Sequence, residues 1–176
     1  MSRGTIILMG LRAAGKSTVG AVVARRARLL LVEIDDRAAR RMNAPDAATA
    51  IRRDGLHAFR EAEAACLEAA LTEQGGSVIC LGGGTPTAPN AADLLRAART
   101  RMAIVYLRAT PATLRRRLAA TDLSSRPSLT GRHPLDEIDE VFAARDPLYR
   151  ELATETIEVD ELGQEAIVAR AMQLAS

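Results

Sequence analysis

The stretch Thr5-Ile6-Ile7-Leu8-Met9-Gly10-Leu11-Arg12-Ala13-Ala14-Gly15-Lys16-Ser17 decides how this chain is read. Thr5–Met9 is a short, nearly unbroken apolar run of strand length. Gly10 to Ser17 then fits G-x-x-x-x-G-K-[ST], and a helical pattern over Lys16–Arg28 follows at once. In that context the glycines let the backbone wrap so that successive N–H groups point at phosphate oxygens. Lys16 reaches the β- and γ-phosphates, the Ser17 hydroxyl is a ligand for Mg²⁺, and the start of the helix adds its positive end. The expected ligand is ATP-Mg²⁺, held along Gly10, Ala13, Ala14, Gly15, Lys16, Ser17 and Thr18.

Of the 24 basic residues Lys16 is the only lysine, which leaves 23 arginines. A chain that writes nearly every cation as arginine keeps lysine where a compact ammonium on a flexible stem suits phosphates. The same count removes GTPases that read guanine through N-K-x-D. No L-S-G-G-Q-like run is present, and no strand ends in an Asp-Glu pair. Where adenylate-kinase-like enzymes carry D-G-[FY]-P-R, this chain has Leu81-Gly82-Gly83-Gly84-Thr85-Pro86.

Working outward, apolar runs at Leu29–Glu33, Ser77–Leu81, Met102–Leu107 and Thr156–Val159 predict further strands, covered on both faces. Helical patterns span Asp35–Met42, Asp46–Arg53, Leu56–Glu73, Asn90–Ala98, Pro111–Ala119 and Gln164–Leu174. Leu135–Ala153 reads as a helix broken or kinked near Pro147. Thr110-Pro111 is a helix start and Gly75-Gly76 a helix stop. The alternation predicts an α/β fold with a parallel sheet. At 176 residues one domain over 1–176 is expected, with the turn-rich segment 120–134 as a lid.

Composition narrows the function. Aromatics are 2% and the net charge of +2 is interspersed, so neither stacking platforms nor a basic footprint for nucleic acid is present. No run reaches membrane-spanning length, and Cys66 and Cys80 read as buried free thiols. A cytoplasmic monomer without an exposed apolar stripe is expected.

Ligands of doubly wound sheets bind beyond the carboxyl ends of the strands. Gly82-Gly83-Gly84 stands there after the third strand, and Glu33-Ile34-Asp35 after the second. Asp35 either caps the next helix or orients an attacking hydroxyl and takes its proton. Glu33 is placed to hold a water of the Mg²⁺ shell. Arg60 and Glu63 lie three apart on one helix, which also describes an ordinary surface pair.

Together these residues resemble the shikimate kinase family from Ile6 to about Ala153. The resemblance rests on Gly10–Thr18, Glu33–Asp35, Phe59-Arg60-Glu61-Ala62-Glu63, Leu81–Gly84, Arg126-Pro127 and Arg145–Tyr149. It implies a three-layer αβα P-loop fold with five parallel strands in the order 2-3-1-4-5, and a shikimate-binding region over about 35–62. It implies that Asp35, Arg60, Gly82, Gly83, Gly84 and Arg145 hold shikimate, with the two arginine forks on its carboxylate. Arg126 would reach the transferring phosphoryl group from the lid, making Lys16, Asp35 and Arg126 the catalytic set. Arg116 or Arg117 would flank adenine, with Arg117 taken as the nucleotide contact. Departures fall at Glu33, where Asp is usual, at Leu56 after Gly55, at Ala13, where glycine is common, and at Ser128. The rivals are a gluconate-like or adenylylsulfate-like kinase, a silent nucleotide-binding module, or acceptance of quinate beside shikimate.

Overall fold

β1 (Ile6–Met9) is the middle strand of five in the computed structural model, which describes residues 4–121 and 133–175. All four of its residues are buried, since neighbouring strands flank it and helices cover both faces. β2 (Leu30–Glu33), β3 (Ser77–Cys80), β4 (Ala103–Arg108) and β5 (Glu155–Glu158) complete a sheet in the order β2-β3-β1-β4-β5. Every pair is parallel, and Ile7 aligns with Ile79 on one side and Ile104 on the other. This is the expected P-loop α/β fold. Parallel strands need crossovers, and the sequence supplies α1 (Lys16–Ala27), α4 (Ala91–Ala98), α5 (Pro111–Ala119), α6 (Ile138–Leu152) and the helices over 34–72, while α7 (Gln164–Leu174) follows the last strand.

The helix signals act as anticipated. The Thr110 side chain accepts from the Thr113 N–H, with Pro111 opening α5. Gly75 and Gly76 both take positive φ after α3 (Ala47–Thr72). Asp46 caps α3 by accepting from the Thr49 N–H at 2.7 Å. The two helices expected over 46–73 are both present within α3 and meet at Gly55, whose φ of +88° breaks the helical path between them.

Three features differ from the sequence reading. α6 runs through Pro147 as one helix instead of breaking there, because lateral anchors described below hold both sides of it. β2 is not covered on both faces: Leu30 and Leu31 are 59% and 36% exposed, since an edge strand has a neighbour on one side only. Those adjacent leucines also form an exposed apolar pair where no such surface was expected. A 3₁₀ turn at Thr85–Thr87, legible only in its proline, follows the triple glycine. Cys66 and Cys80 are buried free thiols. Among the described residues, no helix is long and apolar enough to cross a membrane.

Candidate active site

The carboxyl ends of β1, β2 and β3 open into a cavity of about 370 Å³. Its walls come from the loop after β1, the start of α2 (Ile34–Arg41), α3, the triple glycine and α6. Lys16, Ser17, Glu33, Asp35, Arg60, Gly83, Gly84 and Arg145 all line it. Residues from five separate stretches thus meet in one space.

On one side lies the phosphate loop. Gly15 stands before α1 at φ +102° and caps it without any side-chain hydrogen bond. The first N–H groups of the helix therefore face the cavity as donors. Lys16 Nζ folds back to donate to the Gly10 and Leu11 carbonyls at 2.9 and 3.0 Å. Burial lowers the Lys16 pKa, and the charges of Asp35 and Glu33 partly offset it. Ser17 Oγ donates to Glu33 Oε2 at 3.3 Å, joining the two groups expected at the metal. Burial raises the Glu33 carboxyl, against the lowering effect of that hydrogen bond. Arg117 Nη1 donates to the Ala14 carbonyl at 3.2 Å, whereas Arg116 turns to Thr113. Of the two candidates, Arg117 is therefore the one that touches the loop.

On the other side lies a floor of glycine. A methyl group on Gly82 would overlap the Asp35 and Glu63 carboxylates, and one on Gly84 would overlap the Arg60 guanidinium. At Gly83 it would sit 2.9 Å from the Arg12 backbone nitrogen. None of the three has a positive φ, so they are glycine for room and not for conformation. Asp35 is not the helix cap. Glu33 precedes the helix instead, leaving Asp35 in the first turn of α2, directly over Gly82.

Arg60 pairs with Glu63, and this is no surface pair: Glu63 is 0% exposed. Glu63 also accepts from the Thr85 hydroxyl. Burial raises its carboxyl to about 7, against the Arg60 charge, and the Asp35 charge adds to the rise. Sequence reasoning named Glu63 only as half of an ordinary surface pair, yet a signal of its burial was there. Phe59, Ala62, Glu63, Cys66, Leu67 and Ala70 form the buried stripe of α3, with Glu63 one turn from Phe59 and from Leu67.

Arg145 Nη1 and the Tyr149 hydroxyl both donate to the Gly83 carbonyl, at 2.9 and 2.8 Å. They are four apart on α6 and share its pocket-facing side. Tyr149, Thr85 and Arg12 are further residues of this region that the sequence did not single out. Arg126, and with it most of the expected lid, lies outside the described residues.

A phosphate-gripping loop facing a glycine-floored pocket with two arginines and a carboxylate defines a P-loop kinase of small molecules. Comparison with known proteins gives the family. Residues 12–176 match the family model described as Shikimate kinase. A shikimate kinase of Oleidesulfovibrio alaskensis is 40% identical over 156 residues, 87% of either chain. Shikimate kinase 2 of Sodalis glossinidius is 34% identical, covering 96% of this chain and 94% of that one. The solved shikimate kinase from Acinetobacter baumannii in complex with shikimate superposes with a TM-score of 0.85 at 26% identity. That match covers 98% of this chain and 93% of the other. The chain belongs to the shikimate kinase family, and is an ATP-dependent kinase acting on an alcohol.

Proposed function

We propose that this protein transfers the γ-phosphoryl group of ATP to the 3-hydroxyl of shikimate, giving shikimate 3-phosphate and ADP. The observation that carries the reading is the meeting of Arg60 and Arg145 at the Gly83-Gly84 ledge of the cavity that also holds Lys16 and Asp35. Two guanidinium forks beside one ledge suit a planar carboxylate. An adenylylsulfate-like acceptor would demand another anion there, whereas a gluconate-like acceptor also carries a carboxylate and is separated from shikimate by the acceptor test below.

The residues fit ATP and Mg²⁺. The uncapped start of α1 offers N–H donors, and Lys16 lies on loop carbonyls from which its ammonium can turn to phosphate oxygens. Ser17 with Glu33 forms the oxygen pair for Mg²⁺, Glu33 acting through a water. ATP supplies the phosphoryl group, and the metal neutralises charge on its β- and γ-oxygens. Arg60 and Arg145 orient the acid, and the glycine floor lets it approach the backbone. The Asp35 side chain makes no hydrogen bond with the described residues and sits over Gly82. It is available to align the acceptor hydroxyl and take its proton. Arg117, on the loop carbonyls, is the side chain proposed beside the nucleotide. For Arg126 and the lid over 120–134 the proposal rests on sequence alone. One kinase domain over 1–176, acting as a cytoplasmic monomer, completes the reading, and its two buried free thiols suit a reducing compartment.

The test is ADP release from ATP-Mg²⁺ with shikimate, quinate, gluconate or no acceptor. Release that depends on shikimate and is small without it supports the reading. A response to another acid alone would reassign the Arg60–Arg145 pocket. ATP binding without turnover on any acid would indicate a silent nucleotide-binding module.

A further inference from the structure

The chain has four aromatic side chains, two Phe and two Tyr, and all of them stand at or behind the acceptor pocket. Phe59 lines the cavity. The other three gather where α6 crosses β4. Tyr106 and Tyr149 meet edge to face with ring centres 5.6 Å apart, and the Arg108 guanidinium lies 5.0 Å from the Phe142 ring centre.

Asp146 is at the centre of this group. Its carboxylate accepts from the Tyr106 hydroxyl at 2.9 Å and from Arg108 Nε at 2.7 Å, both on β4. Arg150 Nε, one turn along α6, donates to its other oxygen at 3.0 Å. Arg108 in turn reaches Glu158 on β5 at 3.0 Å. The carboxylate thus ties α6 to β4, and Arg108 carries the link on to β5, with the Asp146 side chain only 13% exposed. Burial alone would raise its pKa. Hydrogen bonds from Arg108, Tyr106 and Arg150 outweigh that and hold the carboxyl below its ordinary value. It is therefore a charge-assisted acceptor at neutral pH.

The anchor sits where the helix is weakest. Pro147 lacks an N–H, so the Ala143 carbonyl loses its usual helical donor, and the ring crowds the preceding turn. At this weak point two neighbouring residues face different ways. Arg145 points to the Gly83 carbonyl, and Asp146, about 100° further round the helix, points to β4. A helix that yields near Pro147 would let Arg145 slide along the ledge.

We infer that Asp146 is a positioning residue of the acceptor pocket. By tying α6 to β4 through Arg108 and Tyr106, it holds the adjacent Arg145 guanidinium where the substrate carboxylate is gripped. This rests on the acceptor reading given above. Asp146 touches neither substrate, and its effect is confined to the side of the cavity that α6 forms. A displacement of about 1 Å is enough to cost a large part of a bidentate grip.

The experiment is steady-state kinetics of the whole protein with shikimate and ATP varied in turn, for the parent, Asp146→Ala and Asp146→Asn. Tyrosine emission is recorded alongside. With no Trp and two tyrosines, that signal reports Tyr106 and Tyr149 directly. Asp146→Ala is expected to raise the shikimate KM about tenfold while the ATP KM and kcat stay within about twofold, the pattern of lost uniform binding. Asp146→Asn keeps the shape and one acceptor oxygen, so it should fold where the alanine variant does not and raise the shikimate KM about threefold. Both should alter tyrosine emission, since Tyr106 loses its charged partner. An unchanged shikimate KM, or both KM values moving together, in a folded variant overturns the inference. If the parent turns over no acid at all, the functional reading fails first and this inference goes with it. If the parent uses shikimate and the split is missing, only the inference falls.

Discussion

Two single residues carry testable consequences that neighbouring positions do not. Asp35 sits over Gly82 in the cavity that Lys16 also lines, as a group that takes the acceptor proton must. Asp35→Asn should lower kcat by about 10²- to 10⁴-fold, the usual reach of a general base, while ATP affinity measured by titration stays near the parent value. A rate within a factor of about two of the parent would remove Asp35 from the proton transfer. Ala13 is a different case. Its φ is +66°, the left-handed region that costs an L-residue roughly 1–2 kcal/mol and glycine almost nothing. Glycine's extra freedom in the unfolded chain returns part of that, so Ala13→Gly should stabilise by about 0.5–1 kcal/mol in denaturant unfolding. A loss of stability there would mean that the loop carries no strain at Ala13.

At the scale of elements, α3 and the β3 loop work as a pair. α3 delivers Arg60 and Glu63 from its buried stripe, and the loop answers with glycines so that no Cβ occupies their space. Gly82→Ala should displace Asp35 and Glu63 and cut kcat/KM for shikimate at least about a hundredfold, since misplacement of about 1 Å at a reacting site costs that much. Parent-like kcat/KM would show that the floor has slack. The buried Glu63 also gives α3 a pH signature. Folded, its pKa is about 7, above the ordinary 4.5. Between those values the folded chain binds a proton that the unfolded chain has lost, so its stabilising contribution is complete below about pH 4.5 and is lost as pH rises through about 7. Glu63→Gln lacks that slope. The thermal midpoint of the variant minus that of the parent should therefore rise from roughly pH 5 to pH 8, and a flat difference would mean that Arg60 keeps Glu63 ionised throughout.

For the whole molecule, binding and stability are linked through the two sides of the cavity. Shikimate at about a hundred times its Kd should stabilise the fold by about 2.7 kcal/mol. In a chain of this size that raises Tm by about 5–10 °C. Arg145→Ala should lose most of the shikimate shift and keep the shift caused by ATP-Mg²⁺. Loss of both would move Arg145 to the nucleotide side. The exposed ion pairs that join distant elements, such as Arg26–Glu165 and Arg96–Glu151, add little to this because water and salt screen them. The sequence alone determined the strand, glycine loop and helix around Lys16, because adjacent residues dictate that turn, and with it the βα alternation that makes a parallel sheet. It also marked Asp35, Arg60 and Arg145 as candidates, though by type and by resemblance and not by position in space. Only the tertiary structure decided which charges are buried, since exposure depends on what a distant element lays over them. It turned Arg60–Glu63 from a surface pair into a buried one, and took Asp35 off the helix cap. It showed that the triple glycine is a matter of room, and carried α6 through Pro147 on a carboxylate bound to a strand some 38 to 40 residues away along the chain. Contacts across such separations follow from packing of the whole sheet, which no local pattern records.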